Sequence, residues 1–508
     1  MAGVLMRTKY LVLRHSFTGT KRAMMVSGLT AGLAAAGFTI WLVAGRGAAG
    51  GDLLALAFAS WVLGWVLAPM MGGGDPGIRT EHLDHLPITH RRKAVALFGA
   101  ALVGIGPAVM LVAAGALVAY AVSLGVAATI VAVLAVPLLV LMVVALSSVV
   151  VAGIGSLLNT RRSAALTAVP WGVLICLTAQ GWTVIAAFGG DAGSVLPPGW
   201  AHGLRIAPSG WPVAAVEAAG RGQWGVALAA LAGLAAVVAL AVLAWGRLLR
   251  RPKAAPVITP GTSRAWTPET VVAAVVGKEL RTWGRDLVRI HFLSFALVYA
   301  LTYTILPIVI GSTDYLPMTG VFAVVLAAGC SAHLHSSDGT ALWQTLLAPG
   351  VERADVRGRQ LAWLLVVGPA AVLLTVLGAV AHGEMNMVRW AAALLPVTLG
   401  AGAGLMLFVS VYVPIRMTDP HRRGSNPGQD GGSLAALVWL VLPVVAVASA
   451  PVITLLAIGQ AKNDPLLQWA GTPAGIAIGA LLAWILGRMA YRRLAARGPE
   501  LLAKVGTG

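Results

Sequence analysis

The chain has 508 residues, of which 58% are hydrophobic and only 11% are charged, and its formal net charge is +18. Soluble domains carry about 25% charged residues, so this composition excludes a soluble enzyme, a disordered chain and a DNA-binding globule. The natural solvent for such a chain is lipid, where apolar surface needs no polar cover. Its two cysteines, Cys176 and Cys330, both lie in apolar runs and offer neither a disulfide framework nor a zinc site.

The chain begins with a basic segment in which apolar residues recur every three or four positions. This spacing predicts an amphipathic helix over residues 6–22 that lies on the membrane surface. Its basic face is formed by Arg7, Arg14 and Lys21.

Twelve apolar runs follow, each of a length that can span a bilayer. The sequence therefore predicts an all-α polytopic membrane protein with about twelve transmembrane helices. The runs cover residues 24–45, 53–71, 94–122, 126–154, 163–188, 225–246, 291–311, 315–335, 360–382, 390–415, 433–459 and 472–491.

A proline-rich stretch, residues 251–268, separates the sixth and seventh runs and is predicted to be an extended linker. A second amphipathic helix is predicted over 268–289, with Thr267 as its cap. Each half of the chain thus begins with a basic interfacial helix. The cations predicted on one face of this second helix are Lys278, Arg281, Arg285 and Arg289.

The two halves repeat at a constant offset of 262 positions, which predicts a first half over 1–250 and a second half over 269–508. Because six spans per half is an even number, the repeats are expected to be parallel, with the transport path between them. The identical pairs are Gly77 and Gly339, Pro87 and Pro349, Arg91 and Arg353, Gly106 and Gly368, Pro107 and Pro369, Ala108 and Ala370, and Leu111 and Leu373.

Lysine and arginine are distributed unequally between the two sides of the predicted membrane. If the N-terminus is cytoplasmic, 31 of the 36 lie in cytoplasmic segments, including a basic C-terminal tail. Cytoplasmic loops of membrane proteins carry this excess, so both termini are predicted to lie in the cytoplasm and the chain in the plasma membrane. The same bias accounts for the positive charge without a nucleic-acid partner.

Several kinds of chemistry are missing from the sequence. There is no phosphate-binding G-x-x-x-x-G-K-[ST] loop and no HExxH motif, and no charged residue lies centrally in any run. We therefore expect no enzyme activity, no metal and no cofactor in the chain itself, and an external motor. The cluster of histidine and acidic residues at 81–90 is more typical of a solvated loop than of a metal site. The fifth run offers a possible substrate path formed by Thr178, Gln180, Trp182 and Thr183.

Two cytoplasmic loops have the same design, a short amphipathic helix followed by a proline and a basic run. Helices of this kind fit into grooves on soluble partners. The first loop contributes Leu83, Leu86, Pro87 and Arg91 as predicted partner contacts. The second loop contributes Leu342, Leu346, Pro349 and Arg353.

The second half contains Lys278-Glu-Leu-Arg-Thr-Trp-Gly-Arg-Asp286, Ser337-Asp-Gly-Thr-Ala-Leu-Trp-Gln-Thr-Leu-Leu-Ala-Pro349 and Arg357-Gly-Arg359. With these motifs the chain resembles permease subunits of type-2 ABC exporters, in particular the fused two-half actinobacterial kind associated with drug and polyketide-antibiotic export. The resemblance implies that the two loops carry coupling helices for a separate ATPase, which binds ATP and Mg and is expected in two copies. It also implies short re-entrant helices in the outer segment 189–224. The corresponding outer segment of the second half, 460–471, is much shorter. A hydrophobic or amphipathic cargo is expected because the predicted path lacks charged residues that could hold an ion.

Two alternative functions remain open at this stage. A twelve-span secondary drug transporter matches the span count and the parallel halves, but the uncharged interior and the interfacial helices disfavour it. A membrane-embedded transferase for lipid-linked substrates would need an acidic pair in an outer loop, and the outer segments contain only scattered acidic residues.

Overall fold

The computed structural model describes residues 2–15, 19–43, 47–72, 89–157, 161–180, 198–249, 268–348, 350–415 and 431–505. All regular elements in these ranges are helical, as predicted. In the first part of the chain the helices are α1 (Ala2–His15), α2 (Gly19–Val43), α3 (Gly47–Gly72), α4 (His90–Ala101), α5 (Ile105–Val122), α6 (Val126–Leu157), α7 (Arg161–Ala179), α8 (Pro198–Ile206), α9 (Trp211–Gly220) and α10 (Trp224–Leu248).

Within the described residues from 268 onward there are nine further α-helices and three short 3-10 turns. The turns are Leu306–Ile310, Leu316–Met318 and Gly339–Ala341. The helices are α11 (Val271–Trp283), α12 (Leu287–Ile305), α13 (Thr319–Cys330), α14 (Leu334–Asp338), α15 (Leu342–Leu347), α16 (Glu352–His382), α17 (Met385–Tyr412), α18 (Gly431–Ala461) and α19 (Pro465–Val505).

Eight of the described helices are long and apolar enough to cross a membrane, and a ninth span results if Leu316–Cys330 and Leu334–Leu347, bent by 51°, count as one. Three shorter apolar helices, Gly28–Val43, Gly50–Val66 and Ala164–Leu177, coincide with the first, second and fifth predicted runs. Each of the twelve runs therefore coincides with an apolar helix. Membrane-spanning character is clear, whereas the count of twelve spans stays a prediction.

The chain divides into two compact units. The first contains α1 to α6, apart from the last residues of α3 and α6, together with α8 to α10. The second contains α7 and α11 to α19. Helix α7 thus joins the later part of the chain, because it packs along α12. Gly172 makes this close approach possible, since a Cβ atom at that position would lie 2.8 Å from Cγ1 of Val298.

Both predicted interfacial helices have different boundaries in the structure. Helix α1 ends at His15, and Lys21 lies in α2. In the second unit the prediction of one helix over 268–289 is wrong, because Gly284 follows the last residue of α11 and Asp286 begins a new helix. The Asp286 carboxylate accepts the N–H groups of Val288 and Arg289, as an N-cap does. The cap of α11 is Thr270, while Thr267 lies outside the described residues.

Helices α17 and α19 make the closest packing in the second unit, and small residues explain it. A Cβ atom on Gly475 would meet the carbonyl oxygen of Ala393, and one on Gly479 would meet that of Pro396. On α17, Gly400 faces the backbone of Gly479 in the same way. Glycines spaced by four residues let membrane helices approach until their backbones touch, so a larger residue at these positions would force the two helices apart.

The two-repeat arrangement stays a prediction, and the helices at equivalent positions can be compared. Helix α16 corresponds to α4 and α5 at the offset of 262, but residues 102–104 interrupt the first copy, whereas α16 continues through Pro369 as one 31-residue helix.

Candidate functional site

A cluster of buried charged side chains lies where four helices of the second unit meet. Helix α11 supplies an acid and α12 a cation, the α14 region supplies a histidine and an acid, and α16 supplies an acid and a cation. We call this cluster the buried ion-pair network: Glu279, Arg289, His335, Asp338, Asp355 and Arg359.

Arg359 is the centre of the network, and its side chain is 0% exposed. Its Nη1 lies 3.1 Å from Oε1 of Glu279, and its Nη2 donates to Asp338. Its Nε donates to the carboxylate of Asp355 at 3.0 Å, one helical turn earlier on α16. The fork of the guanidinium group thus holds three carboxylates from three different segments, a geometry that lysine cannot reproduce.

Arg289 forms the second centre and ties α12 to α11. Its Nη1 donates to Oε2 of Glu279 at 2.7 Å, and its Nη2 donates to Oγ of Ser337 at 3.2 Å. The guanidinium carbon lies 5.5 Å from the ring centre of Trp283, which adds a cation–π contact. The two arginines therefore share Glu279, one at each carboxylate oxygen.

His335 connects the network to α17. Its Nε2 lies 3.1 Å from Oδ2 of Asp355, and its backbone N–H donates to the hydroxyl of Ser410 at 3.1 Å. Imidazole and carboxylate in direct contact form a pair that can hold or pass a proton. Because both side chains are buried, this pair is kept away from bulk solvent.

The charges of the network are balanced. Three carboxylates face the two buried arginines and Lys278, whose half-exposed ammonium lies 3.1 Å from Asp338 and 3.2 Å from Glu279. Burial alone would raise the pKa of Glu279, but Arg359, Arg289 and Lys278 outweigh it and lower that pKa to about 2. Glu279 is therefore ionised at neutral pH, and removing one of its cationic partners would leave buried charge uncompensated.

The carboxylates and arginines of the buried ion-pair network lie outside the predicted apolar runs, so the prediction that no charged residue lies centrally in a run is not contradicted. In the structure, Asp355 and Arg359 lie near the start of α16, a helix that is long and apolar enough to cross a membrane. The sequence does not single out these two residues as a site, because charged residues just before an apolar run are typical of a cytoplasmic loop. Their spacing does indicate burial, since Asp355 and Arg359 are four residues apart and share a helix face with the buried Ala362 and Trp363.

A short helix is present at the second predicted partner-contact loop, namely α15, directly beside the network; its contact with a partner stays a prediction. Its Leu342 is completely buried and Leu346 is half-buried, and both pack on the end of α19. The apolar side chains that α15 exposes are Trp343 and Leu347, the latter 71% exposed. The face available to a partner therefore differs from the one expected, because the chain itself covers Leu342.

The other predicted coupling residues are only partly described. Arg353 lies exposed in the first turn of α16, and Arg91 lies in α4. The remaining four lie outside the described residues: Leu83, Leu86, Pro87 and Pro349.

The predicted interfacial cations fall into two groups. The majority of those with described side chains are exposed, and one of them, Lys278, also pairs with the network: Arg7, Arg14, Lys278, Arg281 and Arg285. Arg289 is the exception, because it belongs to α12 and is buried in the network.

Of the possible substrate path, only Gln180 has a described side chain. It is buried, and its Nε2 donates to the backbone carbonyl of Tyr303 on α12 at 3.1 Å. This contact fixes α7 to α12, which is a structural role. Thr178 lies in α7, whereas Trp182 and Thr183 lie outside the described residues, as does most of the cluster at 81–90. No group of three or more metal-ligating side chains occurs in the part of the chain that the structure describes.

The first unit has its own, more exposed ion-pair cluster. Arg205 on α8 contacts Asp52 on α3 and donates to Glu217 on α9 at 2.9 Å. Glu217 also accepts from the hydroxyl of Tyr120 on α5 at 3.3 Å. The cluster closes over Gly51, where a Cβ atom would lie 2.8 Å from that hydroxyl. It holds the two short helices that precede α10 against the ends of α3 and α5.

No protein-family model, curated protein or solved structure matches this chain.

Proposed function

We propose that this chain is the transmembrane subunit of an ATP-driven ABC exporter, which moves a hydrophobic or amphipathic compound out of the cell. In this proposal the chain has twelve spans in two parallel repeats, lies in a bacterial plasma membrane with both termini in the cytoplasm, and does not hydrolyse ATP itself. A separate ATPase, in two copies, binds ATP and Mg and contacts α15 and the corresponding loop of the first half.

One observation carries the proposal, namely the connection of α15 to the helices around it. Helix α15 directly follows Asp338 and the turn Gly339–Ala341, and Asp338 is bound by Arg359 of α16 and Lys278 of α11. A displacement of α15 therefore reaches an amphipathic surface helix and the start of a 31-residue apolar helix through direct ion pairs. This is the connection that a motor docked on α15 requires to move a membrane helix.

The packing of α11 on α16 supports the same conclusion. Gly358 lies one position before Arg359, and a Cβ atom there would lie 2.6 Å from Cβ of Val275. The two helices are thus in contact through backbone as well as through ion pairs. They move as one body, because packed interfaces have discrete arrangements rather than continuous ones.

The test uses the exposed face of α15. The double variant Trp343→Ala, Leu347→Ala removes two exposed apolar side chains without touching the network. The matched control is Trp439→Ala, Leu440→Ala, which removes the same two residue types from an exposed face of α18. The native chain is purified from its own host with its partners, and bound ATPase and ATP turnover are measured.

We expect an ATPase to copurify with the native chain and with the control, and its affinity for the α15 variant to fall by tenfold or more, as for aromatic anchors at interfaces. The purified chain alone should show no ATP turnover. Equal binding of the ATPase to native chain and α15 variant would refute docking on α15. Absence of any ATPase, with transport retained in the purified chain, would refute the exporter assignment.

The buried pair of His335 and Asp355 favours a second candidate, a proton-coupled secondary transporter. Such carriers keep ionisable groups within their membrane helices for the coupling proton. The two candidates differ in their energy source. In liposomes that contain only this chain, a pH gradient drives uptake of a fluorescent drug in the second case and none in the first. The variant Asp355→Asn would abolish gradient-driven uptake.

A further inference from the structure

The last residues of the second unit lie against α15. We call residues 494–505 the C-terminal segment; its apolar stripe is formed by Leu494, Leu501 and Val505, all buried. Leu342 and Leu346 of α15 pack into this stripe. A helix that crosses a bilayer needs about 20 residues, whereas α19 has 41, so its end extends past the membrane and is available for this contact.

The backbone of the C-terminal segment is shaped for this contact. Arg497 has non-helical dihedral angles (φ −135°, ψ 26°) and breaks the helix, and Pro499 begins the next turns. At the break, Gly498 faces Leu346, and a Cβ atom there would collide with Cδ2 of that side chain. Glycine at 498 therefore gives Leu346 the space that it occupies.

Helix α15 needs such a support because it has only six residues. A helix of this length is unstable by itself, since it forms too few hydrogen bonds to offset the cost of nucleation. Its C-terminal end is followed by Ala348 in an extended conformation and by Gly350 with φ of +77°, so the chain turns away at once. The side-chain packing of Leu342 in its first turn and of Leu346 in its last turn holds the helix in place.

We propose that the C-terminal segment is a positioning element for α15. It keeps Leu342 and Leu346 turned inward, which directs Trp343 and Leu347 outward in a fixed orientation. The role of this orientation in coupling rests on the proposed function, whereas the positioning itself does not. Gly498 and Leu501 are the positioning residues.

The first experiment needs no partner. Amide hydrogen exchange is measured over residues 342–347 of the full purified chain for Gly498→Leu, which inserts a side chain between the two elements. The matched control is Ala496→Leu, which adds the same side chain at an exposed position two residues away. We expect exchange in α15 to be about tenfold faster or more in Gly498→Leu, with the rest of the unit unchanged, and no change in the control.

A compensating variant separates positioning from general misfolding. In Gly498→Leu, Leu346→Ala the side chain that collides is shortened, and slow exchange in α15 should return. Truncation after Arg497 gives an independent reading and should accelerate exchange as Gly498→Leu does. Equal exchange in α15 for the native chain and the truncated chain would overturn the proposal.

The second experiment adds the ATPase and reports on coupling. We expect Gly498→Leu to reduce the stimulation of ATP turnover at saturating ATPase, and the compensating variant to restore it. Normal stimulation in a variant with fast exchange in α15 would overturn the positioning role in coupling. If exchange responds as expected and no ATPase is bound by the native chain, the positioning element stands and the exporter assignment fails.

Discussion

Removing Arg359 tests whether the buried ion-pair network holds the second unit together. The variant Arg359→Met keeps the length of the side chain and removes the charge. Glu279 then keeps only Arg289 and Lys278, Asp338 keeps only Lys278, and Asp355 keeps only His335. Helix α16 loses its direct ion pair to α11 and to the segment before α15.

The magnitude follows from burial. Deleting one partner of a buried ion pair costs about 3–5 kcal/mol, since it leaves uncompensated charge in a medium of low polarity. The lowered pKa of Glu279 agrees in direction, since Arg359 is the largest of the contributions that favour its ionised form. A loss of this size should lower the melting temperature by about 5–10 °C.

The control is Arg357→Met, two residues earlier on the same helix, where the side chain is exposed. Exposed substitutions change stability by about 0.5 kcal/mol or less. Arg359→Lys should fall between the two, because it keeps the charge and loses the three-way fork. The assay gives the apparent melting temperature of the purified chain in detergent. It measures the amount of monodisperse protein that remains after heating to each temperature. If Arg359→Met and Arg357→Met melt at the same temperature, the network does not stabilise the unit and the reasoning fails.

Three further predictions follow from the same structure. Because the pKa of Glu279 is lowered in the fold, its stabilising effect is complete above about pH 4.5 and is lost as pH falls towards about 2. The melting temperature measured between these pH values should therefore fall in the native chain, and should fall less in Glu279→Gln. Gly479→Leu should separate α19 from α17 and lower the melting temperature by several degrees, whereas Gly368→Leu, with nothing within 4 Å, should not. A cysteine at exposed Gln223 should react with an impermeant thiol reagent from outside the cell and one at exposed Thr340 only after permeabilisation, and the reverse pattern would invert the proposed topology.

The course of the chain through its apolar helices could be predicted because composition alone carries that information. Twenty apolar residues in succession have one stable arrangement in lipid, so the runs coincide with helices in both units. Boundaries near the surface were harder. The break between α11 and α12 depends on Gly284 and Asp286, which lie inside a regular basic and apolar periodicity and were read as part of one longer helix.

The network could not be predicted from spacing, because its members are separated by up to 80 residues along the chain. Arg289 shows the difficulty, since its spacing placed it on a basic face with Arg285. In the structure the turn at 284–286 rotates it into the interior, where it meets Glu279. Glu279 itself gave a usable signal, since it lies four residues before Trp283 on the apolar side of α11 and is buried with it.

The two ion clusters differ in a way that bears on how such a chain would work. In the first unit, the side chains of Arg205 and Asp52 are 27% and 32% exposed. Water and salt therefore screen their attraction, and breaking the contact costs little free energy. In the second unit, Arg359 is fully buried and binds three carboxylates. Breaking these contacts would leave several buried charges without a partner at the same time. A cluster that opens readily suits a part that moves against its neighbours, whereas one that resists opening suits a part that must move as a body. We therefore expect the short helices α8 and α9 to change position within their unit during a cycle, while α11, α14 and α16 keep their mutual contacts and carry the displacement of α15 into the membrane.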